Sequence, residues 1–177
     1  MKRLAILGST GSVGVQALDV VARFPERFRV VALSAGRNAA RLAEQARRFR
    51  PRLVTIADSA AASALRAEVP GDVEVAEGDA GAVAAASHPE VDFVLAAISG
   101  AAGLRSTAAA IDAGKAVGLA NKESLVLAGE LLVARAAASG VLILPVDSEH
   151  SAIHQALAGH NRNEVRRLLL TASGGPL

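Results

Sequence analysis

Residues 2–14 read KRLAILGSTGSVG, a short apolar run that breaks into glycines at positions 8, 11 and 14. A strand that ends in a glycine turn and opens a helix presents free backbone N–H groups at the positive end of that helix. Bare glycines there let an anion approach the main chain closely. The same residues also suit an ordinary strand and tight turn, because Gly-x-x-Gly-x-x-Gly departs from the usual Gly-x-Gly-x-x-Gly fingerprint. The residues beyond position 14 decide between a phosphate cradle and a plain turn.

Beyond this opening run at 4–7, continuous apolar runs of strand length recur at 30–34, 53–57, 91–98, 116–120, 141–146 and 168–171. Helix-like segments at 13–23, 39–49, 60–68, 104–113 and 123–138 separate most of them, the last stopped by Gly140. Runs that apolar are buried on both faces, and parallel neighbours need crossover helices. The pattern therefore predicts an α/β fold with a doubly wound, mostly parallel, Rossmann-like sheet. In that setting the glycine stretch reads as a cofactor cradle. The alanine-rich middle remains periodic and reads as helix surface, with no internal repeat and no Pro- or Ser-rich linker.

Composition narrows the function classes. With 177 residues and 51% apolar content the chain is long enough for a sizeable core. No apolar run approaches the roughly 18 residues that cross a bilayer, and the N-terminus runs into a strand pattern without a signal-peptide core. A soluble, cytoplasmic protein without a membrane partner is expected. The absence of cysteine excludes disulfides, thiolate metal sites and a Cys nucleophile, so a metal must be held by oxygen or imidazole. The net charge of +2 and the basic run RRFRPR at 47–52 raise nucleic acid as a partner. Aromatics are only 2%, which leaves little to stack bases on. Arg41, Arg47 and Arg48 fall in a helical pattern whose ordinary fate is a solvated face. No nucleic-acid partner is expected.

The end of the second strand reads LSAGRN, residues 33–38. Folds that bind NAD place a carboxylate there for the ribose 2′-hydroxyl, whereas NADP sites offer a cation to the 2′-phosphate. Arg37 stands in that place, Gly36 allows close approach and Asn38 can donate a hydrogen bond, so NADPH is favoured over NADH. In GLANKESLVLAGE, residues 118–130, a strand delivers Asn121, Lys122 and Glu123 to its carboxyl end, the edge where open α/β sheets bind ligands.

In LILPVDSEHSAIHQAL, residues 142–157, the next strand delivers Asp147 and Glu149 to the same edge, and in extended chain these two point to one side. Two hard oxygen ligands suit Mg²⁺ or Mn²⁺, while an Asp-Ser-Glu after a strand equally suits a helix N-cap with an acidic first turn. Spacing alone leaves both readings open. His150 and His154, four apart, read as helix residues, His150 also as a partner of a metal-binding carboxylate. LLLTASGGPL, residues 168–177, reads as a buried strand ending in Ser173 and two glycines.

Taken in order, LGSTGSVG (7–14), AGRN (35–38), AISGAAGL (97–104), LANKESLVLAG (119–129), PVDSEHSAI (145–153) and TASGGP (171–176) make the chain resemble the 1-deoxy-D-xylulose 5-phosphate reductoisomerases. The resemblance implies an NADPH-dependent oxidoreductase that rearranges 1-deoxy-D-xylulose 5-phosphate on a divalent metal, Mn²⁺ or Mg²⁺. Reduction of the resulting aldehyde then gives 2-C-methyl-D-erythritol 4-phosphate for isoprenoid synthesis.

By the same resemblance Thr10, Gly11, Ser12 and Val13 hold the pyrophosphate, and Gly36, Arg37 and Asn38 the adenosine 2′-phosphate. Asn121 and Glu123 contact the cofactor. Lys122, Ser148, Glu149 and Ser173 touch the substrate, Asp147 and Glu149 bind the metal, and Lys122 and Glu149 are the catalytic pair. A homodimer is implied as well. Residues 1–145 form the NADPH-binding domain and 146–177 the beginning of a catalytic α/β domain. The family continues beyond that point into a mobile loop, a third carboxylate, the main substrate-phosphate site and a helical domain. The chain by itself is therefore expected to be incomplete for turnover. The other readings are an NADPH-binding module without turnover and another NADPH-dependent reductase. Semialdehyde dehydrogenases, one such class, need the Cys nucleophile this chain lacks.

Overall fold

In the computed structural model, which describes residues 1–170, strand and helix alternate along the chain. The order is β1 (Lys2–Leu7), α1 (Ser12–Arg23), β2 (Phe28–Ala35), α2 (Ala39–Phe49), β3 (Leu53–Ile56), α3 (Ser59–Glu68) and β4 (Glu74–Glu77). It continues with α4 (Gly78–Ser87), β5 (Phe93–Ala96), a 3-10 turn (Ala101–Gly103), α5 (Leu104–Asp112), β6 (Ala116–Leu119), α6 (Glu123–Ala138), β7 (Ile143–Pro145) and α7 (Ser148–Leu157). All seven strands lie in one sheet, ordered β4-β3-β2-β1-β5-β6-β7, and every pairing is parallel. The chain winds outward from β1 to β4 and returns through α4. It then winds the other way, so the strand order reverses between β1 and β5. At that reversal neighbouring crossovers leave to opposite faces, and a crevice opens at the carboxyl ends of the strands.

The continuous apolar runs are explained by what covers each face. Ile6, Leu33, Val54 and Ile56 pack with Leu18 and Val21 of α1, Leu42, Ala43 and Ala46 of α2, and Ala62 and Leu65 of α3. Their alternating neighbours Ala5, Leu7, Ala32 and Leu53 face the opposite way, joined by Val31 where the register of β2 against β1 shifts. They pack with Ala85 and Ala86 of α4, Ala110 and Ile111 of α5, and Leu132 and Ala136 of α6. A strand covered twice has no polar face to show.

Four features depart from the sequence reading. The pair β4 and α4 escapes it, because β4 is an edge strand with glutamates at both ends and α4 is packed through glycine and alanine rather than large apolar residues. The run 168–171 is not a strand in its described part. Leu168, Leu169 and Leu170 are outside any strand and 55%, 75% and 58% exposed. Asp147 and Glu149 do not sit in extended chain, because α7 begins at Ser148 and puts Glu149 in its first turn. The long helix α6 breaks at Ala128, with φ −149° and ψ 30°. Ser173 lies outside the described residues.

Candidate functional site

The three glycines of the opening stretch have different duties. Gly8 turns the chain out of β1 with φ +83°, and a Cβ there would run into the Ala97 carbonyl of the strand-end loop beside it. Gly14 is buried in α1, where a Cβ would strike the Gly8 carbonyl and Ser9. Gly11, the N-cap of α1, has an ordinary φ of −78°, and a Cβ on it would meet only the Gly8 carbonyl oxygen at 3.3 Å. Two glycines thus serve the turn, and the third leaves bare, exposed backbone at the start of a helix whose first N–H groups have no intrahelical acceptor. The turn is held by Gly8 N–H and Ser9 N–H donating to the Ser34 carbonyl at 2.9 and 2.8 Å.

Below the turn, Ser9 Oγ donates to Gln45 Oε1 at 2.7 Å, and Gln45 Nε2 donates to the Ser9 carbonyl at 2.8 Å. Both residues are buried, so this pair ties α2 to the cradle through a polar contact in the core. Sequence reasoning missed it. Its one signal is a glutamine among Leu42, Ala43 and Ala46 on the apolar face of α2.

Gly11, Ser12 and Val13 line a cleft with Ala97, Ser99 and Asn121–Glu123, the carboxyl edges of β5 and β6. Asn121 is buried and shapes this cleft. Its Nδ2 donates to the Ile98 carbonyl and, at 3.0 Å, to the Gly100 carbonyl, while its Oδ1 accepts from Ser124 N–H at 3.1 Å. Gly103 makes room for that amide, since a Cβ there would overlap it.

One strand away, β2 ends at Ala35, and Gly36, Arg37 and Asn38 are exposed at the corner. Asn38 Oδ1 caps α2 by accepting from Arg41 N–H at 3.0 Å, leaving its amide donors free. The nearest carboxylate along the neighbouring strand end, Asp58, is committed to capping α3 through Ala60 N–H at 3.0 Å. The corner at 36–38 itself therefore presents a cation and amide donors, with one oxygen of the adjoining Asp58 carboxylate spent on a cap.

At the β6 and β7 edge, Asp147 occupies the N-cap position of α7, yet its side chain makes no capping bond. Its carboxylate turns instead to Lys122, with Nζ 3.0 Å from Oδ2, and to His150, with Nδ1 3.2 Å from Oδ1. The Lys122 ammonium first, then hydrogen bonding with Glu149, hold this carboxyl down at about 2 despite partial burial. Asp147 in turn raises the Lys122 ammonium. Glu149 Oε2 accepts from Ser148 Oγ at 2.7 Å. Lys122, Asp147 and His150 rim a pocket whose wall is Leu125, Val133 and Ile143.

The structure thus gathers Lys122, Asp147, Glu149 and His150 at one end of the sheet edge and brings Gly11–Val13 to Asn121–Glu123 next to them. His154 stays exposed on α7 without joining the cluster. Two carboxylates suit a hard divalent cation only in part, and among the described residues no group of three His, Cys, Asp or Glu could hold a metal.

Comparison with known proteins bears on this arrangement. The family model for 1-deoxy-D-xylulose 5-phosphate reductoisomerase matches residues 4–129, and the model for the C-terminal domain of the same family matches residues 143–177. A 1-deoxy-D-xylulose 5-phosphate reductoisomerase of Anaeromyxobacter dehalogenans is 78% identical over 177 residues, which are 100% of this chain and 45% of that relative. The enzyme of this name from Zymomonas mobilis, solved in complex with NADPH, superposes with a TM-score of 0.92 at 46% identity, over 99% of this chain and 46% of that one. A DOX-P reductoisomerase solved with NADPH, fosmidomycin and magnesium gives a TM-score of 0.86 at 42% identity, over 90% of this chain and 40% of its own. The chain spans about half the length of the curated relatives it matches, 45% in the first case.

Proposed function

The chain belongs to the 1-deoxy-D-xylulose 5-phosphate reductoisomerase family, and on that premise we propose that its protein converts 1-deoxy-D-xylulose 5-phosphate to 2-C-methyl-D-erythritol 4-phosphate with NADPH and Mg²⁺ or Mn²⁺. The observation that carries the reading is the Asp147 carboxylate. It declines the helix-capping bond its position offers and stands beside Lys122, which lines the same cleft as the bare backbone of Gly11.

In this reading Thr10, Gly11, Ser12 and Val13 hold the pyrophosphate of NADPH, and Gly36, Arg37 and Asn38 its 2′-phosphate. Glu123 lines the cleft at the nicotinamide side, and Asn121 shapes it by fixing the 98–100 loop. Asp147 and Glu149 supply carboxylate ligands to the divalent cation. When bound, that cation supplies Lewis-acid polarisation of the substrate carbonyl, and NADPH supplies the hydride. Lys122 does two things at neutral pH. Its ammonium keeps Asp147 ionised, and as an exposed cation it can meet negative charge that builds on the substrate. Ser148 and Glu149, at the start of α7, face the substrate, and Ser173 belongs to the same set.

We place the boundary between the NADPH-binding unit (1–145) and the start of the metal- and substrate-binding unit (146–177) at the end of β7. A cytoplasmic homodimer working on a small phosphorylated sugar, without nucleic acid, completes the proposal. Among the described residues no helix is long and apolar enough to cross a membrane.

The test is NADPH oxidation followed by absorbance with 1-deoxy-D-xylulose 5-phosphate and Mn²⁺ or Mg²⁺, with NADPH binding measured alongside. Metal-dependent oxidation is expected, and binding without oxidation would leave an NADPH-binding module. Asp147→Asn should abolish metal-dependent turnover and leave NADPH affinity nearly unchanged. An unaffected rate would return Asp147 to the helix-start role.

A further inference from the structure

The corner between β2 and α2 carries a second cation that sequence periodicity assigns to solvent. Arg41 sits in the first turn of α2, where Asn38 Oδ1 receives its main-chain N–H at 3.0 Å. Its guanidinium turns back toward the glycine cradle, with Nη1 3.4 Å from the Thr10 carbonyl. The side chain therefore bridges the gap between the turn at 8–11 and the corner at 36–38. That single contact is long and uses one of the five guanidinium N–H donors.

The remaining arginines of this helix and its end are engaged elsewhere. Arg47 pairs with Glu68, Arg50 pairs with Asp72, and Arg48 lies over the Phe49 ring. Asp19 and Glu44 line the shallow groove beside Arg41, yet neither closes to an ion pair with it. Among the described residues, then, Arg37 and Arg41 are two uncommitted guanidinium groups on one corner. The Ala40 main-chain N–H, the one in the first turn of α2 without an acceptor among the described residues, and the spare amide donors of Asn38 stand with them.

We propose that Arg41 is a second specificity-determining cation for NADPH, taking its adenosine 2′-phosphate together with Arg37. A phosphate monoester carries close to two negative charges and three acceptor oxygens, more than one guanidinium fork satisfies. Two forks and a helix N-terminus match that demand, and a ribose hydroxyl uses none of it. The inference rests on the NADPH reading above and adds a residue to it.

Titration of the purified protein with NADPH and with NADH, for wild type, Arg41→Gln and Arg41→Lys, tests it. Loss of one charge-assisted contact should raise the NADPH Kd of Arg41→Gln by about tenfold or more and leave the NADH Kd within about twofold, with Arg41→Lys in between. NADH binding serves as the internal measure of folding. Equal weakening of both dinucleotides, or an Arg41→Gln protein that keeps the full NADPH preference, overturns the role of Arg41 and leaves the cofactor reading intact. A wild-type protein with no preference for NADPH overturns both.

Discussion

The glycines at 8 and 11 look alike in the sequence and are separated by a backbone angle. Gly8 has φ +83° with a carbonyl where its Cβ would go, so Gly8→Ala should cost about 2 kcal/mol or more in denaturant unfolding. Gly11 has an ordinary φ and an open front. Gly11→Ala should keep stability within about 1 kcal/mol and, if the proposed pyrophosphate site is right, weaken NADPH binding by adding a methyl to the bare backbone there. Arg37→Glu should weaken NADPH far more than NADH, and equal losses in a binding titration would remove the 2′-phosphate assignment. Gln45 was invisible as a site residue because its importance lies in Ser9, 36 positions away. Gln45→Leu strands two buried polar groups of Ser9 and should cost about 2 kcal/mol.

At the scale of elements, the helix starts carry both stability and chemistry, and Asn38 allows the two to be separated. Asn38→Ala removes the cap of α2 and should lower stability by about 1 kcal/mol. Asn38→Asp retains the cap and brings a negative charge to the corner proposed to take the 2′-phosphate. Its melting temperature should stay near that of the wild type while NADPH affinity falls. A loss of affinity in Asn38→Ala alone, with Asn38→Asp binding normally, would confine Asn38 to capping. The start of α7 behaves in the opposite way. Asp147 looks like a cap by position and in the fold leaves that duty, since Lys122 and His150 attract its carboxylate more strongly than a solvated helix end does. The strand-helix pairs with large apolar residues were legible from periodicity. The pair β4 and α4 was not, because an edge strand needs little apolar surface and an alanine helix shows no contrast between faces.

Across the whole molecule, the site lies at the carboxyl edge of the sheet and a charged clamp lies near the opposite edge. Arg3 of β1 donates through its main-chain N–H, Nε and Nη2 to Asp92, just before β5, at 3.0, 3.0 and 2.7 Å. The Arg3 guanidinium first, then its main-chain N–H, hold the Asp92 carboxyl at about 2, below the usual 3.8. A carboxyl lowered in the fold contributes stability above its unfolded value and loses it as pH falls. Wild type should therefore exceed Asp92→Asn in stability near pH 6, and the gap should shrink between about pH 4 and pH 2 in acid unfolding curves. The clamp is partly exposed, so added salt should narrow the gap as well.

The doubly wound fold class, the glycine turn, the arginine at the end of β2 and the polar ends of β6 and β7 were set by local sequence. Each depends on hydrophobic periodicity or on a residue type at a strand end, and both act over a few positions. Three things waited for the tertiary structure: the Ser9–Gln45 tie, the turn of Arg41 toward Thr10, and the choice of Asp147 between cap and ion pair. In each, the partners come from different elements, and only the closed sheet brings them within hydrogen-bonding reach, so no spacing along the chain encodes the distance between them.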